Sequence, residues 1–175
     1  MSETPAPYLA GDTPSVRRAV VTITGPGGDD RLDGGSGDDY LNGGAGTDEF
    51  LGGDGFDRVS FYSLTATQAA VASLITQTIS NDGFGNAETM TSIEGLGAGT
   101  AFADHMTGDD NDNFLLGDYT DTLIGNGGND RFQLAGAPAL LDGGAGIDTI
   151  TVFIGELGSI RPDSNGDFIA ELIFA

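Results

Sequence analysis

The stretch "GGSGDDYLN GGAGTDEFL GGDGFDRVS", residues 34–60, sets three nine-residue blocks head to tail. Each block begins Gly-Gly, carries Gly at its fourth place and Asp at its sixth, and has one large apolar residue at its eighth. Stepping back by nine gives "GPGGDDRLD" (Gly25–Asp33), the same pattern with Pro26 at the second place. The four copies bring acids Asp30, Asp39, Asp48 and Asp57 and apolar residues Leu32, Leu41, Phe50 and Val59 to equivalent positions.

A helix would repeat its apolar residues every three to four positions, and these blocks do not. One apolar residue per nine, flanked by polar neighbours, suits a three-residue strand whose middle side chain points inward. The six residues between strands must turn the chain, and glycine does so without a Cβ penalty at positive φ. Two blocks then make one coil of eighteen residues, and successive coils stack as parallel strands about 4.8 Å apart. Asp30 comes to lie over Asp48, and Asp39 over Asp57. Two bare carboxylates about 5 Å apart repel by roughly 3 kcal/mol at an effective dielectric of 20. A divalent cation between the turns reverses the sign of that interaction. Six or more oxygen ligands in a flexible cage suit calcium better than magnesium, and a chain with no cysteine and one histidine disfavours zinc and copper.

The frame breaks for Phe61–Ala98, a segment rich in Ala, Thr, Ser and Ile that lacks the acidic turn. It resumes in worn form through residues 99–151, with Asn113 replacing the acid in one block, Ala139 in another, and an eight-residue block at Gly117–Ile124. The expected organisation is a flexible leader at 1–14 and a single domain at 15–175. That domain comprises a repeat block at 25–60, linking coils at 61–98, a second repeat block at 99–151 and a cap at 152–175. "VRRAVVTIT" (Val16–Thr24) reads as a strand covering the first coil, and Asn165-Gly166 between apolar runs signals a capping hairpin.

The composition agrees with a cation-dependent fold. Across 175 residues, 27 acids face 6 basic residues, all arginine, for a net charge of -21. Such a charge repels nucleic acid and anionic membranes and opposes compaction unless it is neutralised. The 38% hydrophobic content still leaves enough for a core. The first residues lack a basic and an apolar region of the secretory kind, and no apolar run reaches the roughly 20 residues of a bilayer span. No active site is expected: H-E-x-x-H and G-x-S-x-G are absent, and His105 has no second histidine beside which to act. "DDNDNF" (Asp109–Phe114) begins like an EF-hand loop but has Phe114 where the sharp turn needs glycine.

The G-G-x-G-x-D-x-U-x pattern resembles the calcium-binding repeats-in-toxin (RTX) family. That resemblance implies an all-β fold, a right-handed parallel β-roll or β-solenoid with interrupted repeat blocks, holding three to five calcium ions between turns. Carried over, one ion would use Pro26, Gly28 and Asp30 with Gly43, Ala45 and Asp48. A second would use Gly35, Gly37 and Asp39 with Gly52, Asp54 and Asp57. A third would use Asn126, Gly128 and Asp130 with Gly143, Ala145 and Asp148. Asp104 with Asp121, and Asn113 with Asp130, are lesser pairs because the shortened block changes their spacing. The resemblance further implies a non-catalytic bacterial module, secreted or at the cell surface, exported by type I secretion machinery; "DFIA" followed by "ELIFA" is similar to the tails of serralysin-type proteases. Two alternatives accompany it: a polysaccharide-binding or adhesin module like those attached to alginate epimerases, and the C-terminal domain of a serralysin-like protease without its catalytic part.

Overall fold

In a computed structural model that describes residues 20–25, 27–136, 138–153 and 168–173, the described residues form strands and turns with no helix. The first repeat block supplies β1 (Thr22–Thr24), β2 (Arg31–Ser36), β3 (Tyr40–Asn42), β4 (Glu49–Asp54) and β5 (Arg58–Ser60). The segment between the blocks supplies β6 (Ala70–Ser73), β7 (Thr78–Asp82), β8 (Glu88–Thr91) and β9 (Gly95–Gly97). The second block supplies β10 (His105–Thr107), β11 (Phe114–Gly117), β12 (Thr122–Ile124), β13 (Arg131–Leu134), β14 (Leu140–Asp142) and β15 (Asp148–Phe153), followed by β16 (Phe168–Ile173).

Alternate strands fall into two facing sheets, as a coil built from two nine-residue halves requires. One sheet has the order β1-β3-β5-β9-β11-β13-β15-β16 and is parallel throughout. The other has the order β14-β12-β10-β6-β7-β8-β4-β2. The eighth-place residues stack in register down each sheet: Leu41, Val59, Leu96, Leu115, Phe132 and Ile150 on one side, and Leu32, Phe50 and Met90, then Met106 and Leu123, on the other. Leu41, Val59, Leu115, Phe132 and Ile150 have no exposed surface, and all of these residues belong to one core. Burial of each such side chain contributes about 1.5–3 kcal/mol, which is the term that sets the inward face of every rung.

At the corners the glycines are required by space as well as by φ. Gly53 (φ 112°) and Gly55 (φ 145°) occupy the second and fourth places of their turn. A Cβ on either would run into the carbonyl of Gly35 or Gly37 in the coil below. Asn126 (φ 73°) takes the second place in the worn block, a conformation asparagine tolerates, and its Nδ2 donates to the Gly108 carbonyl at 2.8 Å.

Two features add detail to the expected organisation. Within the segment at 61–98, β7 runs antiparallel to both β6 and β8, so three strands enter one sheet where the other gains only β9. Lacking the Gly-Gly-x-Gly corner, the chain reverses after Leu74 as a tight turn closed by Gln77 (φ 49°), whose side chain donates to the carbonyls of Leu74 and Ile93. The eight-residue block shortens the spacing of stacked acids from eighteen to seventeen, yet the strands keep their alignment. The missing residue is taken out of the turn at Asp118–Thr120, not out of a strand. At the ends, β1 is the first rung on β3 and β16 is a parallel rung on β15. The leader at 1–14, residues 16–19 of the covering strand and the Asn165-Gly166 turn lie outside the described residues.

The core reading is checked by denaturation at saturating calcium. Phe132→Ala is expected to lose about 3–5 kcal/mol of unfolding free energy. Leu64→Ala, at a side chain 88% exposed, should change it by less than about 0.5 kcal/mol.

Candidate metal centre

Each sixth-place acid sits at the foot of a strand, directly beneath its counterpart in the next coil. Register alone fixes that position. One oxygen of each upper carboxylate is then taken by the amide one coil below: Asp30 N–H donates to Asp48 Oδ1 at 2.9 Å, Asp39 N–H to Asp57 Oδ1 at 2.8 Å, and Asp130 N–H to Asp148 Oδ1 at 2.8 Å. The second oxygen is left over. Oδ2 of Asp30, Asp39, Asp48, Asp57 and Asp130 is buried without a hydrogen-bond partner. Orphaned buried anionic oxygens are costly, and they mark a place where a cation is wanted.

What these oxygens face is shown by the first-place glycines. A Cβ built on Gly34 would lie 2.5 Å from Asp39 Oδ2 and 2.7 Å from the Gly52 carbonyl oxygen. The same convergence occurs at Gly25, between Asp30 Oδ2 and the Gly43 carbonyl, and at Gly125, between Asp130 Oδ2 and the Gly143 carbonyl. Each of the three expected ligand sets thus contributes one orphaned carboxylate oxygen and one backbone carbonyl to a shared cradle that only glycine leaves open. Other members of the sets are engaged elsewhere along the turns. The carbonyls of Ala45 and Asp54 accept the N–H groups of Gly28 and Gly37 at 2.6 and 2.8 Å, and Asn126 O accepts Ala145 N–H at 2.7 Å. The carbonyls of Gly35 and Gly128 lie against Gly53 and Gly146 of the coil above. Pro26 lies outside the described residues. Among the described residues no three acidic or histidine side chains converge as a metal cluster; the groups that meet at these corners are carboxylate and carbonyl oxygens, which suit a hard divalent cation.

The lesser pairs differ. Asp104 and Asp121 are stacked, with Asp104 N–H donating to Asp121 Oδ1 at 2.9 Å. All four of their carboxylate oxygens already accept protein hydrogen bonds, those of Asp104 from Ala70, Gly99 and Thr100 and the remaining one of Asp121 from Asp118 N–H. Asn113 repeats the cradle at Gly108, where its Oδ1 lies beside the Gly125 carbonyl, but it is neutral and closed onto Asp109 by two hydrogen bonds.

Glu88 and Glu94, which the repeat spacing does not point to, continue the acid columns through the interruption. Asp48 N–H donates to Glu88 Oε1 at 3.3 Å, and Asp57 N–H to Glu94 Oε2 at 2.9 Å. Their signal in the sequence is the triplet acid-x-apolar, Glu88-Thr89-Met90 and Glu94-Gly95-Leu96, which matches Asp30-Arg31-Leu32 once glutamate is allowed to stand for aspartate.

Burial shifts these acids upward. Desolvation raises Asp39 and Asp48, takes Asp57 and Asp121 to about 6 and Asp130 to about 7, and outweighs the amide hydrogen bonds that oppose it. Glu88 is pushed to about 9 by burial and then by Asp48 and Asp82 beside it, so at neutral pH it stands as the uncharged acid. Glu94 is also raised by burial. Since folding raises these values above the ordinary 3.8 for Asp57, Asp121 and Asp130, the metal-free roll takes up protons as it folds. Their contribution is complete below about pH 4 and is lost as pH rises through about 6 to 7. Circular dichroism of the chelated chain should therefore show more β signal at pH 4 than at pH 8, and an equal signal at both contradicts the burial of these acids.

The family model for the RTX calcium-binding nonapeptide repeat, in 4 copies, matches residues 24–59 and 106–133. No curated protein matches the chain. The matched residues are those whose first-place glycines and sixth-place acids form the cradles at Gly25, Gly34 and Gly125, and the repeats of this family bind calcium. The chain carries RTX calcium-binding nonapeptide repeats, folded as a β-solenoid.

Proposed function

We propose that this chain is a non-catalytic, calcium-responsive β-roll that is unfolded where calcium is scarce and folds once exported. The observation that carries the reading is the set of orphaned oxygens on Asp30, Asp39 and Asp130, each facing a carbonyl of the next coil. Those three cradles would take three ions, with the ligand sets that the family resemblance implies: Pro26, Gly28 and Asp30 with Gly43, Ala45 and Asp48; Gly35, Gly37 and Asp39 with Gly52, Asp54 and Asp57; and Asn126, Gly128 and Asp130 with Gly143, Ala145 and Asp148. Each ion offsets two of the 21 net negative charges. Extracellular calcium modules bind at about 10⁻⁴–10⁻³ M, so the cytosol leaves such sites empty while the outside fills them. Binding to the folded form alone stabilises it by mass action, which makes folding and calcium uptake one transition. Export by type I secretion machinery and a role in folding and stabilising an extracellular bacterial protein are carried over from the resemblance to RTX proteins, and such a switch would suit them.

A second reading, contact with polysaccharide, is favoured by one feature of the fully parallel sheet. A trough of about 210 Å³ is lined by Tyr40, Arg58, Tyr62, Phe114 and Gln133, with Arg58 stacked 4.9 Å from the Phe114 ring centre. Retention on neutral glycans or alginate in calcium would favour this reading, and its loss in Tyr62→Ala would place the contact there.

The leading reading is tested by following circular dichroism during calcium titration. A cooperative change from coil to β-rich signal is expected in the millimolar range, with magnesium producing none. Asp39→Ala should weaken one ion and shift the midpoint upward; an unchanged midpoint counts against the Asp39 ligand set.

A further inference from the structure

We infer that the interruption between the repeat blocks builds a divalent-cation site of its own, on Asp57, the Ser92 carbonyl and Glu94, although it contains no Gly-Gly-x-Gly-x-Asp turn. The inference rests on the calcium reading above and adds a site that the repeat pattern does not supply, since Ser92 and Glu94 lie outside the matched residues 24–59 and 106–133.

Three observations meet at one point. Asp57 has no exposed surface, and its Oδ2 has no hydrogen-bond partner. A Cβ on Gly52 would collide with the Ser92 carbonyl oxygen and lie 2.5 Å from that same Asp57 Oδ2. The cradle at Gly34 has the same form, with Gly52 supplying the carbonyl that Ser92 supplies here. Ser92 reaches this position in the left-handed region (φ 54°), unlike first-place Gly43 and Gly52, which supply the equivalent carbonyl in the repeats without a positive φ. A non-glycine residue held there is uncommon, and here it serves to aim a carbonyl into the gap. Above it, Glu94 occupies the register position of a sixth-place acid: Asp57 N–H donates to its Oε2, and Gly95 pairs with Arg58. The oxygen set is two carboxylates and a carbonyl from two adjacent coils, the same chemistry as in the repeats.

The neighbouring column shows why this corner differs from the rest of the interruption. Glu88 also lies above a repeat acid, Asp48, but the buried Asp82 beside it is satisfied by the amides of Phe84 and Asn86 and by Asn86 Nδ2. At Gly43 the three atoms nearest a Cβ all belong to Asp48, whereas at Gly52 the nearest is the Ser92 carbonyl oxygen. The Asp57 column carries a cradle across the break, and it joins the two repeat blocks through β5, β9 and β11.

The test counts bound calcium by native mass spectrometry on the whole chain at saturating calcium, with circular dichroism confirming the fold. Glu94→Gln is expected to hold one ion fewer than the unaltered chain, while Ser92→Gly, which keeps the carbonyl and relieves the backbone, holds the full number. Should Glu94→Gln fail to fold, Glu94→Asp retains a carboxylate on a shorter arm and should bind the full number with one affinity weakened roughly tenfold, since ligand charge and fit set calcium affinity. A Glu94→Gln chain that folds and binds as many ions as tightly as the unaltered chain overturns the site, as does a Glu94→Asp chain with every affinity unchanged. An unaltered chain that binds no calcium overturns the calcium reading itself and this site with it.

Discussion

The structure depends on carboxylates stacked at the corners of successive coils. Packing the eighth-place side chains into one core forces the sixth-place acids into vertical columns, because each acid lies two residues before its apolar partner in the same turn of chain. The amide of the coil below then satisfies one oxygen of each acid and no more. The apolar core and the carboxylate column are therefore opposed: the first draws the coils together, and the second leaves buried negative oxygens unmatched between them. A cation would resolve the conflict, and in the proposed reading it sits where a carbonyl of the next coil joins the orphaned oxygen.

That criterion separates sites that look alike in sequence. Asp104 and Asp130 both stand at sixth places seventeen or eighteen residues from a stacked acid. Asp130 leaves Oδ2 without a partner against the Gly143 carbonyl, whereas Asp104 is enclosed by the amides of Ala70, Gly99 and Thr100 and by the Thr100 hydroxyl at 2.5 Å. Hydrogen-bond donors fill one corner, and the other leaves a buried carboxylate oxygen without a partner. Column one, through Asp30 and Asp48, ends at a neutral Glu88; column two, through Asp39 and Asp57, continues at Glu94 with its cradle intact.

The repeat made the greater part of this legible in the sequence. A period of nine with one apolar residue specified the three-residue strand at Tyr40–Asn42, the eighteen-residue stacking of Asp39 on Asp57, and the two-sheet arrangement. Leu32, Leu41, Phe50 and Val59 are buried where that period put them. The interruption was not legible, because its chain reversal at Leu74–Gln77 is encoded by a side chain bonding to distant carbonyls and not by glycine spacing. Glu88 and Glu94 escaped for a related reason: register across a 37- to 40-residue excursion is set by how the inserted strands pair, which a fixed period cannot anticipate.

Small-angle X-ray scattering before and after exhaustive chelation at neutral pH tests the central claim most directly. With calcium, the chain should be compact, with a radius of gyration near the roughly 16 Å of a globular domain of its length and somewhat larger for an elongated roll; without calcium, it should approach the roughly 44 Å of an unfolded chain. A chelated protein that keeps its compact radius would show that the acid columns need no cation to stand, and would contradict the account.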